Sequence, residues 1–463
     1  MAEAKFLTGS LFRHVTVMSL TASLGLMAVF IVDFVDMIFI SMLGKSELAA
    51  AVGYAGAILF FVTSFGIGLG ISAGALVARA LGADDEELAR ERTTHALCYG
   101  LAFSSVFSVL VWLSLPLLVD LLGARGETAG LAVHFLRIVV PSMPFLILGM
   151  MGGAVLRAHG DARRAMMATI AGGVVNAVLD PILIFGLDME LTGAAIASVI
   201  ARLVICVMAL LPVMRIYDGI APPKAAGMAR DLRPILAIAF PAILAQIATP
   251  VGQAFVTRAM AGYGEEAVAG MAIVGRLIPV AFGVIFALSG AVGPIIGQNY
   301  GAGDMDRVRR GFNAAVLFVA LVIGTVTAIL FLSRGAIAGL FNAEGLTREL
   351  IYLFCGPLSL AFFFPGVLFV ANAAFNNLGQ PFLSTFTNWG RNAVALIPLV
   401  WLGSVLFDAK GVLIGQSLAG VLFGIVAWVL ALRVIAKGGK PEGTGQDLFG
   451  REGRLMTLFQ QRR

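Results

Sequence analysis

The chain has 463 residues, of which 59% are hydrophobic and only 13% are charged, and its formal net charge is +5. Soluble domains carry about 25% charged residues, so this composition excludes an ordinary soluble globular domain. The basic residues are spread over many segments rather than gathered in one patch, which argues against nucleic-acid binding.

Uncharged apolar stretches recur along the whole chain. Residues 48–78 and 311–333 have no charged residue, and each exceeds the roughly 18 to 20 residues that a membrane helix needs. A β-barrel would show alternating apolar and polar residues instead. The sequence therefore predicts an all-α polytopic membrane protein with twelve spans, at residues 15–42, 50–79, 95–120, 131–156, 164–186, 192–214, 234–262, 267–299, 311–333, 350–376, 382–407 and 411–435.

The distribution of Lys and Arg predicts the orientation. If both termini lie inside, the inner segments hold 22 basic residues and the outer loops hold 5. Because cytoplasmic loops carry the excess of basic residues, we expect cytoplasmic N- and C-termini in a cell inner membrane.

The chain repeats itself at an offset of about 220 residues. "LGKSELAA" (43–50) matches "YGEEAVAG" (263–270), and "RAHGDARRA" (157–165) matches "NNLGQPFLS" (376–384). We therefore predict two pseudo-symmetric six-helix bundles, at residues 1–214 and 234–436. A cytoplasmic loop (215–233) joins them and a cytoplasmic tail (437–463) follows. Internal repeats of this kind are typical of secondary transporters. The alternative is that the duplication produced a membrane protein with only a structural role.

Three acids lie inside predicted spans and away from the helix ends: Asp33 and Asp36 in the first, and Asp180 in the fifth. An Asp at the centre of a membrane helix costs on the order of 3 kcal/mol. A scaffold would be expected to lose such residues, so their presence indicates a function in the N-terminal half.

The stretch "NAVLDP" (176–181) combines an amide, a carboxylate and a proline. Asn176 and Asp180 share a helix face because they are four residues apart. Pro181 has no N–H, so the carbonyl of Ala177 loses its helical partner. These hard oxygen ligands suit Na⁺, or a proton held on Asp180. The alternative is a neutral buried acid that only bends the helix.

Two further residues complete the predicted cation or proton site. Asp36 could face the same pocket, and Ser198 in "GAAIASV" could add a hydroxyl. Asp33 lies three residues before Asp36 and could join the pocket or lie nearer the outer mouth. The predicted Na⁺ or H⁺ site is thus Asp36, Asn176, Asp180 and Ser198, with Asp33 and Ala177 as possible additions.

The C-terminal half has no acid inside its spans but has deep arginines, Arg276 and Arg391. They could pair with backbone carbonyls, with each other or with substrate. Together with Gln253, which lies near the repeat position of Asp33, they are the candidates for a substrate cavity. No nucleophile or metal cluster with catalytic spacing occurs, and the three cysteines are isolated. We therefore expect neither an enzyme nor a cofactor.

Several motifs in order resemble the multidrug and toxic compound extrusion (MATE) family, over nearly the whole chain. "DMIFISMLG" (36–44) is similar to the end of the family's first span, and "GQNYGAGD" (297–304) to the loop after its eighth. "NAVLDP", "GAAIAS" and "RNAVALIPL" (391–399) are similar to spans 5, 6 and 11. The acids resemble those of prokaryotic branches, including the DNA-damage-inducible-protein-F-like one.

This resemblance implies a V-shaped pair of bundles around a central cavity, in a monomer. It implies antiport, with organic cations and related drugs exported as Na⁺ or H⁺ enters. It also carries the family's cation site onto Asp36, Asn176, Asp180 and Ser198. Two departures stand out, because Asp33 is an extra acid and residues 13–44 contain no proline to bend the first span. The alternative function is a flippase of lipid-linked precursors or polysaccharides in the same superfamily, which would need a more cationic cavity.

Overall fold

The computed structural model describes residues 4–43 and 45–439, and the described residues form helices and no strand. The first ten membrane helices are described here in chain order. They are α1 (Leu11–Met42), α2 (Ser46–Gly82), α3 (Glu86–Leu113), α4 (Gly126–Ala158), α5 (Ala162–Gly186), α6 (Glu190–Arg215), α7 (Ala225–Ala261), α8 (Glu265–Gly301), α9 (Met305–Leu340) and α10 (Gly345–Ala361 with Phe363–Asn377, bent by 42°). A short helix, Leu115–Leu121, follows α3.

The last apolar segment, Phe382–Ala436, contains two membrane helices. It has 55 residues, and a straight helix of that length would be about 80 Å long, far more than the roughly 30 Å core of a bilayer. The backbone leaves the helical conformation at Phe407 and Asp408. A Cβ on Gly415 would lie 2.6 Å from the carbonyl carbon of Leu399, so the chain folds back on itself. Residues 382–406 are α11 and residues 409–436 are α12, which confirms the prediction of twelve spans.

The helix starts repeat in the same way as the sequence. Ser46 begins α2 and Glu265 begins α8 in the second half. Glu86 begins α3 and Met305 begins α9, and these two starts are separated by the same length of chain as the first two. The predicted connection at 215–233 is shorter in the structure, because α7 begins at Ala225. Most of the predicted tail at 437–463 lies outside the described residues.

Three helices begin in the same way because the sequence places an Asp just before each. Asp85, Asp161 and Asp304 cap α3, α5 and α9, and each side chain accepts a hydrogen bond from the backbone N–H three residues on. An Asp at this position satisfies an N–H group that the helix itself leaves unpaired. All three turns lie on one side of the bundle, called here the terminus side because residues 4–10 also lie there.

The two halves meet on the terminus side. Gly82 of α2 lies so close to Gln298 of α8 that a Cβ would approach the Gln298 carbonyl carbon to 2.6 Å. Arg79 donates hydrogen bonds to the carbonyls of Asn376 and Asn377 in α10, at 2.7 and 2.9 Å. Further along the same helices, the Cβ positions of Gly56 in α2 and Gly275 in α8 have no atom within 4 Å. The two halves are therefore in direct contact on the terminus side, and open space lies beside Gly56 and Gly275 towards the opposite side.

Candidate functional site

The structure brings two of the predicted acids together. Asp36 in α1 and Asp180 in α5 interact directly through their carboxyl groups, and the side chain of Asn176 lies beside Asp180. Helices α1 and α5 pack along each other. Glycine allows the close approach, since a Cβ on Gly173 would lie 2.9 Å from Cγ2 of Val32.

Asp180 is buried, Asp36 is half-buried with a buried Oδ1, and the pair is short of hydrogen-bond donors. Asp180 is 1% exposed and Asn176 is 7% exposed. Both carboxylate oxygens of Asp180, Oδ1 of Asp36 and Nδ2 of Asn176 have no hydrogen-bond partner among the described residues. Two adjoining carboxylates both accept hydrogen bonds, so they need a shared proton or a cation between them. An unpaired buried charge costs several kcal/mol, so the arrangement fits a group that binds and releases a small cation.

The helix that carries Asp180 is irregular next to it. Regular α-helix ends at Pro181, and Ile182–Gly186 forms a single π-helical turn. Because Pro181 cannot donate to the carbonyl of Ala177, the predicted role of that oxygen as a further ligand stays a prediction. Local π-helical turns often occur at functional sites.

Ser198 lies near the height of the acid pair. A Cβ on Gly172 of α5 would lie 3.1 Å from the carbonyl oxygen of Ala201 in α6, which sets the register between the two helices and puts Ser198 near the level of Asn176. Ser198 is half-buried, and its hydroxyl makes no hydrogen bond within the part of the chain that the structure describes. One turn further on, Arg202 donates to the carbonyl of Val139 in α4, at 3.0 Å. The predicted place of Ser198 in the cation site stays a prediction.

Asp33 lies in α1, one turn before Asp36. Its side chain is outside the described residues, so its predicted role stays a prediction.

The candidates in the C-terminal half lie apart from the acid pair. Gln253 on α7 is exposed and accepts a hydrogen bond from Gln416 of α12, at 3.3 Å. Arg276 on α8 is exposed, and Arg391 is half-buried in the π-helical turn Gly390–Ala395 of α11. Neither arginine forms a hydrogen bond or an ion pair with another described residue. The unpaired positive charges thus lie in the C-terminal half and the acid pair lies in the N-terminal half.

The donor set at the acid pair suits a light cation. No group of three or more His, Cys, Asp or Glu residues capable of holding a metal occurs among the described residues. Two carboxylates with amide and backbone oxygens are hard ligands of the kind that Na⁺ takes, and they equally bind a proton.

Sequence reasoning missed the residues that hold the two halves together. Phe6 is 1% exposed, and its N–H donates to Oε1 of Gln298 at 2.9 Å. Nε2 of Gln298 donates in turn to the carbonyl of Ala158 in α4, at 2.8 Å. Gln298 lies in "GQNYGAGD", which carried the family resemblance but no stated role. A fully polar side chain at the end of an apolar span was the signal that could have identified it.

A buried hydrogen bond between a histidine and an aspartate on the terminus side was also missed. Nδ1 of His95 in α3 lies 2.7 Å from Oδ2 of Asp231 in α7, and both residues are at most 1% exposed. The sequence placed Asp231 in a loop, because the linker was expected to extend to residue 233.

Comparisons with known proteins agree with this architecture. The MatE family model matches residues 22–182 and 241–402. The two matched segments are separated by the same offset as the two halves of the chain. The chain is 29% identical to a protein named FAD transporter from Shewanella oneidensis, over 90% of this chain and 93% of that protein. It is 24% identical to the multidrug export protein MepA of Staphylococcus saprophyticus, over 92% and 94% of the two chains.

The fold of this chain is similar to that of a mutant of the Vibrio cholerae MATE transporter VcmN. The TM-score is 0.88 at 23% identity, covering 92% of this chain and 97% of that one.

Proposed function

This chain belongs to the MatE family of multi-pass membrane transporters, since the family model covers most of it, and we propose that it is a secondary active antiporter. Members of the family are transporters, so the prediction that the chain is not an enzyme is confirmed. The proposed reaction is export of small organic molecules, driven by entry of Na⁺ or H⁺ through the acid pair.

The observation that carries this proposal is the buried pair Asp36–Asp180, with oxygens that lack partners among the described residues. A cation or proton at this position compensates one of the two negative charges, and apolar surroundings cannot hold both carboxylates in ionised form together. Binding therefore changes how tightly α1 and α5 can pack. One charge that moves down a potential of 100 mV supplies about 2.3 kcal/mol. This free energy is available to shift the balance between two conformations of the transporter.

The joined state on the terminus side supplies the second element of antiport. Alternating access requires that the terminus-side contacts break when the opposite side closes. The terminus side carries the excess of basic residues, so we place that side in the cytoplasm. The opposite side, where Gly56 and Gly275 lie, is then outside the cell. The ion would then enter α1 and α5 from outside, where the exported molecule is released.

Organic cations are the substrate class that the family resemblance implies, and the MepA relatives are named multidrug export proteins. A second candidate is an anionic molecule, favoured by Arg276 and Arg391, which have no acidic partner among the described residues. The relative named FAD transporter is named for such a molecule, and a lipid-linked flippase substrate would also be anionic.

The test is efflux from sealed liposomes that contain the purified protein. A Na⁺ gradient and a pH gradient are imposed one at a time, with either a cationic dye or FAD as cargo and with Arg391→Gln beside the wild type. We expect one gradient to drive export. Loss of FAD export alone in Arg391→Gln would favour the second candidate. Export of neither cargo under either gradient would contradict drug or FAD export and would point to a lipid-linked substrate.

A further inference from the structure

A basic pocket lies on the terminus side, between the start of α1, the turn from α4 to α5 and the N-terminal strap (residues 4–10). Its volume is about 520 Å³. Lys5, Arg163 and Arg164 contribute cationic side chains to its wall, and His14 and His159 contribute imidazoles. Asp161 is the acid that lines it. A pocket with this excess of positive charge fits an anionic group.

The single acid of the pocket is already engaged by protein groups. The Asp161 carboxylate binds the Arg164 guanidinium and accepts a hydrogen bond from the Tyr217 hydroxyl at 2.8 Å. Burial tends to raise the pKa of Asp161, but the hydrogen bonds from Arg164 and Tyr217 outweigh it, and the net shift is downward. Asp161 therefore stays ionised and paired with Arg164, which leaves the positive charges of Lys5 and Arg163 for a ligand.

Those two cations are free to bind. The Lys5 ammonium donates one hydrogen bond, to the carbonyl of Gly160 at 3.1 Å, and has two further N–H groups. Arg163 is exposed and forms no hydrogen bond or ion pair with any described residue.

The other wall of the pocket is apolar and leads along the membrane. Val17, Met18 and Thr21 of α1 line it. Val17 is 54% exposed, and the exposed residues Leu20 and Leu24 continue the same face of α1 by one and two turns. A ligand that fits both walls has an anionic head at the membrane boundary and an apolar chain that lies along α1.

We propose that this pocket binds an anionic phospholipid, with the phosphate at Lys5 and Arg163 and an acyl chain against Val17 on α1. Basic pockets between membrane helices on the cytoplasmic side are suited to such headgroups. The strap that supplies Lys5 also supplies Phe6, which contacts Gln298 of the other half. A lipid held at Lys5 therefore stabilises the strap and, through it, the joined state of the two halves. The proposal does not depend on which molecule the protein exports.

The test measures lipid retained by the full-length protein. The protein is reconstituted into vesicles of equimolar phosphatidylglycerol and phosphatidylcholine and is then released from the vesicles. Native mass spectrometry measures the mass of the protein with the lipid that it retains. Lys5→Gln/Arg163→Gln removes both pocket cations. Arg309→Gln/Lys437→Gln is the matched control, because it removes two exposed cations of the same side outside the pocket. All four positions are exposed, so both variants are expected to fold.

We expect the wild type to retain phosphatidylglycerol preferentially. Each basic residue near a membrane surface contributes roughly a fivefold preference for anionic lipid. The enrichment of phosphatidylglycerol should therefore be about thirtyfold lower in the pocket variant than in the wild type. The control variant should keep most of the enrichment. Equal losses in the two variants, or no enrichment in the wild type, would overturn the proposal. Displacement of the lipid by soluble glycerol phosphate would also overturn it, by showing a site for free phosphate.

Discussion

Replacing Gly82 by Ala should shift the protein away from the joined state described here. The added Cβ would lie 2.6 Å from the carbonyl carbon and 2.7 Å from Cα of Gln298, in the other half. Ordinary contact begins near 3.4 Å, and the Gln298 carbonyl oxygen would lie closer to the added Cβ than either carbon, so the two backbones would have to separate by more than 0.8 Å. Neither atom belongs to a flexible side chain, so the strain cannot be relieved locally.

The size of the shift follows from the cost of overpacking, which is typically about 1–3 kcal/mol. A free-energy difference of that size changes the ratio of two states by about 5- to 150-fold. The joined state should become the minor state if it is favoured by less than that amount.

Distance measurement between spin labels can detect the shift. Cys98, Cys206 and Cys355 are first replaced, and labels are placed at Gly56→Cys and Gly275→Cys, which occupy equivalent positions in α2 and α8. The distance between the two labels that corresponds to the joined state should become less populated in Gly82→Ala. The matched control is Gly324→Ala in α9, where a Cβ meets no atom within 4 Å. Equal distance distributions in Gly82→Ala and the control would refute the reasoning.

Three further predictions concern single side chains. Phe6→Ala should lower the thermal midpoint in detergent by the equivalent of about 3–5 kcal/mol, because Phe6 is 1% exposed, whereas Phe12→Ala at a 37% exposed position should change it little. Asp231→Asn should cost about 1–3 kcal/mol in denaturant unfolding, since it weakens the buried contact with His95; a loss no greater than that of the exposed Asp218→Asn would contradict this. Asp36→Asn should reduce gradient-driven export at least tenfold while equilibrium substrate binding persists, and the idea fails if export keeps its wild-type dependence on the gradient.

Hydropathy was sufficient to predict most of the fold. Each apolar run is long enough to cross a bilayer, and the equal spacing of helix starts in the two halves follows from a repeat that is visible in the sequence. The boundaries were less accurate because charged residues can continue a helix beyond the membrane, as α7 does from Ala225 to residue 233. The reversal at Phe407 and Asp408 contains no glycine or proline signal at the break itself, but the flanking Gly403 and Gly411 permit the tight return.

The acid pair was predictable in part. The cost of an Asp inside the membrane singled out Asp36 and Asp180, and helical spacing added Asn176. The place of Ser198 in the site stays a prediction, because the sequence does not fix how α6 is rotated against α4 and α5. The role of Phe6 could not be inferred either, since its burial depends on Gln298, which lies 292 residues away.

The central claim is that the Asp36–Asp180 pair is the coupling site. The most direct measurement counts ions that enter sealed liposomes for each molecule exported, for the wild type, Asp180→Asn and the control Asp120→Asn, whose side chain is exposed. The account predicts that Asp180→Asn still binds substrate but that ion entry and uphill export are lost, while Asp120→Asn behaves as the wild type. Ion-coupled export by Asp180→Asn at the wild-type ratio would contradict it.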